Sequence, residues 1–184
     1  MIGDKSLLRI RLKKKSQVIM SNGNLNQNGS HYEEGDSIPY RITLTDLTNG
    51  THTLDVCEAI TKVPATKPEV VSAQIHDTED DVLQIRLEDR TLSVQYDDGT
   101  GEVVLDPDYR LGTPFRVRIS VAAQGIAVFY NGEHKTDIKK SGTGWYWKVG
   151  AYVQSNPSKG EAPDAAGEVV VHSLDIASTP SAKH

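Results

Sequence analysis

The segment Gly144-Trp-Tyr-Trp-Lys-Val-Gly-Ala-Tyr-Val-Gln154 divides, at a period of two, into two unlike faces. Trp145, Trp147, Val149, Ala151 and Val153 fall on one; Tyr146, Lys148, Gly150, Tyr152 and Gln154 fall on the other. Successive side chains of a β-strand point to opposite sides of its sheet, so the segment reads as a strand with an apolar underside and a polar top. Alternation by itself describes any half-buried strand. The content of the polar face is less ordinary. It aligns two phenols, an ammonium and an amide, with Gly150 keeping the floor low between Lys148 and Tyr152. Such a face suits a hydroxylated, charged ligand.

Outward from this segment the same period recurs. Helical periodicity is almost absent, and about a dozen short alternating runs are separated by Gly, Asn, Asp and Pro. Ser6–Leu12 opens the series and runs into Lys13-Lys14-Lys15, which reads as a solvated edge that discourages strand-to-strand aggregation. Gln17–Met20 follows, then a long Asn/Gly/Ser-rich loop over Ser21–Asp36. In Pro39–Asp46, Arg41, Thr43 and Thr45 oppose Ile42 and Leu44. Thr51–Ile60 is the next strand. In Val70–His76 strict alternation groups Ser72, Gln74 and His76 against Val71, Ala73 and Ile75. Val82–Glu88 and Arg90–Tyr96 form an expected hairpin, and Pro114–Val121 places Arg116, Arg118 and Ser120 opposite Val117, Ile119 and Val121. Gly125–Tyr130, Asn131-Gly132 and Glu133–Lys139 carry the strongest local hairpin signal. Ser155–Ala166 reads as a loop, Gly167–Ile176 as the last strand, and residues 178–184 as a tail. The expected fold is all-β: one domain over residues 1–184, with two antiparallel sheets packed face to face.

Composition narrows the function classes. The chain has 184 residues, 37% hydrophobic and 24% charged, which suits one domain with a real core. A net charge of −5 excludes a general basic surface for nucleic acid. No apolar run reaches the length of a membrane-spanning helix, and Met1-Ile-Gly-Asp-Lys5 lacks the apolar stretch of a signal peptide. Cys57 is the one cysteine, so no intrachain disulfide or cysteine metal cluster can form, and a structural thiol is its expected role. Asp77–Asp81 lacks the ligand and glycine spacing of an EF-hand and reads as a solvated turn. No metal or cofactor is implied.

Three polar strand faces remain: Arg41 with Thr43 and Thr45, Gln74 with His76, and Lys148 with Tyr152. Singly, each residue has a plain structural explanation as a solvated charge, a hydrogen-bonding filler or a satisfied histidine. As a set on strands with apolar undersides, they would line one groove with a guanidinium, an amide, an imidazole, an ammonium and a phenol.

Two of these faces resemble signature blocks of the polysaccharide lyase family 7 alginate lyases. Gln74-Ile-His76 is similar to the family's Gln-(Ile/Val)-His, and Tyr146-Trp-Lys-Val-Gly-Ala-Tyr-Val-Gln154 to Tyr-Phe-Lys-Ala-Gly-x-Tyr-x-Gln. The flanking Gly50-Thr-His-Thr-Leu54, Pro64-Ala-Thr-Lys-Pro68 and Val128-Phe-Tyr-Asn-Gly132 agree, and the resemblance covers roughly residues 50–177. The third block, Arg-(Thr/Ser)-Glu-Leu-(Arg/Lys)-Glu in the family, is matched by Arg41-Ile-Thr-Leu-Thr-Asp46. Thr43 stands in place of the glutamate, and Thr45 in place of the second basic residue.

The resemblance implies a jelly roll with a substrate groove on its concave sheet, and cleavage of alginate by β-elimination. It implies Tyr152 as general acid (and base where geometry permits), His76 as the other candidate base, and Arg41, Gln74 and His76 as the clamp on the substrate carboxylate. Lys148, Tyr146, Gln154, Thr43, Arg86, Arg116 and Arg118 are the candidate substrate-binding residues. Arg41 and Lys148 are expected to bring the Tyr152 phenol, ordinarily near about 10, down toward working pH. The implied partner is an anionic polysaccharide, with no nucleic acid and no membrane, and the implied protein is a secreted monomer whose leader is absent from this sequence. A glycoside hydrolase would need two carboxylates facing each other across the bond, and none of these faces carries such a pair. A non-catalytic binding module, or a lyase for another polyuronate such as glucuronan, would share the groove; the binding module would lack the acid and base.

Overall fold

The computed structural model describes residues 10–13, 17–20, 40–43, 50–153 and 166–179, with backbone alone for the first three segments and Thr179. Gln154 and the loops over 21–36 and 155–165 lie outside the described residues. Every regular element among those described is a strand. In chain order these are β1 (Ile10–Lys13), β2 (Gln17–Met20), β3 (Tyr40–Thr43), β4 (Thr51–Lys62), β5 (Glu69–His76), β6 (Asp81–Glu88) and β7 (Thr91–Tyr96). Then come β8 (Gly101–Asp106), β9 (Phe115–Ala122), β10 (Gly125–Tyr130), β11 (Glu133–Ile138), β12 (Tyr146–Val153) and β13 (Glu168–Thr179).

They form a jelly roll of two sheets. One has the order β1-β13-β4-β9-β10-β11 and the other β2-β3-β12-β5-β6-β7-β8. All pairings are antiparallel except β1 with β13, which is parallel and departs from the expected pattern. A parallel neighbour is open to β1 because it comes from the far end of the chain, where no hairpin dictates direction. The closing strand also runs past the expected boundary to Thr179, with Ser178 Oγ 2.9 Å from His52 Nδ1 across the β13–β4 pair.

The alternating apolar positions close both sheets on a shared core. Leu54, Val56 and Ile60 of β4, Val117 and Ile119 of β9, Ile75 of β5, Leu83, Ile85 and Leu87 of β6 and Trp147 of β12 are fully buried. Cutting Trp147 to alanine would open a large void, at a cost of about 3–5 kcal/mol. The β10–β11 connection is the two-residue turn its sequence signals. Asn131 and Gly132 both take positive φ (49° and 89°), as a type I′ turn requires, and Asn131 Oδ1 accepts the Arg116 amide at 2.8 Å.

Strict alternation fails where β6, β5 and β12 run side by side near Tyr152. Between β5 and β6, Ala73 pairs with Ile85 and Val71 with Arg86, so Ser72 is an extra residue. Between β12 and β5, Val149 pairs with Ala73 and Tyr152 with Val71, so Gly150 and Ala151 face Ser72 alone. These are β-bulges. They turn Ser72 into the core, where its hydroxyl donates to Glu58 at 2.7 Å, and place Val71 beside Arg86 and Tyr152. The grouping of Ser72 with Gln74 and His76 is therefore corrected: Ser72 and Ala73 both point inward.

Candidate active site

The seven-stranded sheet brings the three polar faces together because β3, β12 and β5 are consecutive neighbours. Lys148 pairs with Arg41 on one side and Gln74 on the other; Tyr146 pairs likewise with Thr43 and His76. The sheet thus carries two adjacent cross-strand rows: Arg41, Lys148, Gln74, then Thr43, Tyr146, His76. Tyr152 lies further along β12, opposite Val71.

Side-chain geometry is described for β12 and β5. The His76 and Tyr146 rings stack, with centroids 5.4 Å apart and planes inclined by 30°. The Lys148 ammonium sits 5.5 Å from the Tyr146 ring centroid and 5.9 Å from that of Tyr152. Such placement over two aromatic faces favours the cation and holds the rings around it. His76 Nδ1 lies 2.6 Å from the Asp77 carbonyl oxygen and 3.1 Å from the Tyr146 hydroxyl. A carbonyl can only accept, so Nδ1 carries the proton and the neutral ring keeps its lone pair on Nε2. The turn that supplies this carbonyl is stiffened from within, since the Asp77 carboxylate accepts the amides of Glu79 and Asp80 at 2.8 and 2.9 Å. This is the acidic stretch read as a solvated turn.

Burial pushes the Tyr152 phenol up to about 12, and neighbouring Tyr146 adds to the effect. The expected lowering toward working pH is reversed, because removing the phenolate from water dominates. Tyr152 is accordingly a protonated acid at rest.

In and around these rows the floor is polar. Gln74 is nearly buried, Gln84 donates to Asp81, and Gln95 donates to Glu102 at 3.1 Å. Arg86 does face this side, yet its guanidinium is paired with both Glu69 and Glu88. It is engaged by two carboxylates rather than offered as a bare cation.

Arg116 and Arg118 do not belong to the groove. Both lie on β9, in the six-stranded sheet, and both bind Asp55 of β4: Arg116 Nε at 2.6 Å, Arg118 Nε and Nη2 at 2.9 and 2.8 Å. Burial raises the Asp55 carboxyl, but hydrogen bonds from the two guanidiniums outweigh it and leave the group below its ordinary value. Period-two reading groups residues within a strand but is blind to which sheet that strand joins, so it could not separate these arginines from Arg41.

The sequence reading also overlooked Glu58. Its Oε1 accepts from Ser72, its Oε2 is buried without a partner, and burial pushes its carboxyl up to about 8. The signal was present: Leu54, Val56, Glu58 and Ile60 occupy the inward positions of β4, so alternation puts a carboxyl in the core.

A family model for alginate lyase matches residues 15–178. Among solved structures, the alginate lyase from Corynebacterium sp. is 34% identical, with a TM-score of 0.70 over 79% of this chain and 70% of that one. Alginate lyase AlgAT5 of polysaccharide lyase family 7 is also 34% identical, with a TM-score of 0.71 over 97% of this chain and 85% of that one. Alginate lyase PA1167 from Pseudomonas aeruginosa, 21% identical, shares the fold with a TM-score of 0.66 over 89% of this chain and 82% of that one. Comparison with curated proteins returns no match. With its signature strands side by side on one sheet and this extent of similarity, the chain belongs to the alginate lyase family and is a polysaccharide lyase of family 7.

Proposed function

We propose that this chain cleaves alginate, a 1,4-linked uronate polymer, by β-elimination, with Tyr152 as acid and His76 as base. The observation that carries the reading is the strand order β3-β12-β5, with Lys148 paired between Arg41 and Gln74, and Tyr146 between Thr43 and His76. The C5 proton of a uronate is a poor acid because the adjacent carboxylate is already charged. A lyase must neutralise that carboxylate and stabilise the dianionic intermediate. Arg41 and Gln74 take that role: a guanidinium fork can meet both carboxylate oxygens, and the amide adds a further donor. His76 Nε2, which bears the lone pair, removes the C5 proton. The C5 electron pair forms the C4–C5 double bond, the C4–O4 bond breaks, and Tyr152 delivers its proton to O4. A phenol held up to about 12 by burial keeps its proton until O4 develops charge. Lys148 and Tyr146 hold a neighbouring sugar, Lys148 by charge.

The polymer is attacked where it lies, so the enzyme acts outside the cell. It acts as a monomer, since β3, β12 and β5 of one chain supply the groove residues.

The test measures ultraviolet absorbance of the unsaturated product on polymannuronate, polyguluronate and glucuronan. Wild-type protein should form product on at least one alginate block, and Tyr152→Phe should form none while still binding it. Binding without product by wild type would make the chain a carbohydrate-binding module, and product on glucuronan alone would reassign the substrate.

A further inference from the structure

The site described above uses one face of the seven-stranded sheet, and the bulge residue beside Tyr152 makes a contact through the sheet's other side. We propose that the buried Glu58–Ser72 hydrogen bond positions Tyr152 for the elimination step. The inference rests on the reading of Tyr152 as the acid.

Three observations support it. First, β6, β5 and β12 carry zero, one and two residues between the same two rungs. The upper rung is Ile85–Ala73–Val149 and the lower is Arg86–Val71–Tyr152. Ser72 is the single β5 residue at the centre of this irregularity. Second, a bulge residue has two places to go, and they are not equivalent. With Ser72 inward, Val71 faces the groove as the direct neighbour of Tyr152, and it is fully buried there. With Ser72 outward, alternation would send Val71 into the core and leave a hydroxyl beside the phenol. Third, Glu58 reaches Ser72 from β4 of the facing sheet, and both residues are fully buried. Ser72 donates at 2.7 Å and Glu58 Oε2 has no other partner, so Ser72 is the partner that the carboxyl group has in the core. Losing it would leave a buried carboxyl with nothing, which favours the inward arrangement. The Glu58 carboxyl also acts on Tyr109, whose hydroxyl accepts the Ile60 amide at 2.9 Å and donates to the Thr113 carbonyl at 2.7 Å.

The contact therefore links a core carboxyl on one sheet to the groove side of the other. Its removal should misplace Tyr152 without touching the row of Arg41, Lys148 and Gln74. A displacement of the acid by a fraction of an ångström to an ångström costs about tenfold to a hundredfold in turnover.

The experiment compares Ser72→Ala, Glu58→Gln, and the double variant Ser72→Ala with Glu58→Leu. Ser72→Ala should lower kcat by about tenfold or more with KM changed by less than about twofold. Glu58→Gln keeps an oxygen acceptor for Ser72 and should retain most of kcat. The double variant decides between positioning and packing. It leaves no polar group unpaired at the site, so its stability should return toward wild type, while kcat stays low because nothing then holds the bulge. A double variant that recovers wild-type kcat along with stability would overturn the proposal, as would a Ser72→Ala protein with unchanged kcat. Ultraviolet titration of the Tyr152 phenol, against Tyr152→Phe as the blank, gives a readout independent of turnover. The phenol should titrate lower in Ser72→Ala than in wild type, and an unchanged titration would count against the proposal. Absence of product from wild type on every polyuronate would instead defeat the functional reading.

Discussion

Glu58 makes the stability of this protein depend on pH in a way that one substitution should remove. Its carboxyl stands at about 8 in the fold against 4.5 for an ordinary glutamate, because full burial disfavours the charged form more than the Ser72 hydroxyl supports it. Between those values the folded state holds a proton that the unfolded chain has released. Unfolding free energy therefore falls as pH rises through this window. The contribution is complete below 4.5, declines across the window and is lost as pH passes the folded value of about 8. At 1.36 kcal/mol per pH unit, raising the pH from about 5 to about 8 costs roughly 3–4 kcal/mol from this one group. Glu58→Gln holds the same shape and an oxygen for Ser72 but cannot ionise. Urea unfolding of both proteins at several pH values isolates the term, since every other titration is common to the pair. The wild type should lose roughly 3–4 kcal/mol more than the variant over that range. Parallel stability curves, within about 1 kcal/mol, would show that the carboxyl ionises without penalty, and that the core around it is wetter than its burial indicates.

The remaining predictions concern the groove and its surroundings. His76→Ala and Arg41→Ala should each lower kcat by about a hundredfold or more, measured by product absorbance; an unaffected Arg41→Ala would remove the guanidinium from the carboxylate clamp. Gly150 has a φ of 148°, so Gly150→Ala should cost about 1 kcal/mol or more in denaturant unfolding and reduce activity by adding a methyl between Lys148 and Tyr152. Arg116→Ala with Arg118→Ala should leave kcat/KM within about twofold and lower stability by only about 1 kcal/mol. Both guanidiniums are half exposed and water screens their pairing with Asp55. Because burial holds the Tyr152 phenol at about 12, any loss of activity near about pH 8–9 should persist unshifted when Lys148 is replaced by methionine; a matching shift would assign that limb to the phenol.

Much of the fold and half of the site can be read from the chain alone, for a reason particular to β-structure. Side-chain direction in a strand has a period of two, so Trp147 and Val149 declare the core side of β12, and Tyr146, Lys148 and Tyr152 declare its groove side, before any neighbour is known. The Asn131-Gly132 turn is equally local, since few residues other than these accept two successive positive φ values. The tertiary structure alone decided which strands are neighbours and how they are registered. Pairing depends on contacts between segments distant in sequence, and no local pattern encodes them. It set Lys148 between Arg41 and Gln74, sent Arg116 and Arg118 to Asp55 on the opposite sheet, and turned Ser72 inward to Glu58. The same dependence reversed the expected pKa shift at Tyr152. The charge of Lys148 is visible in the sequence, but the burial that raises the phenol exists only once the strands are assembled.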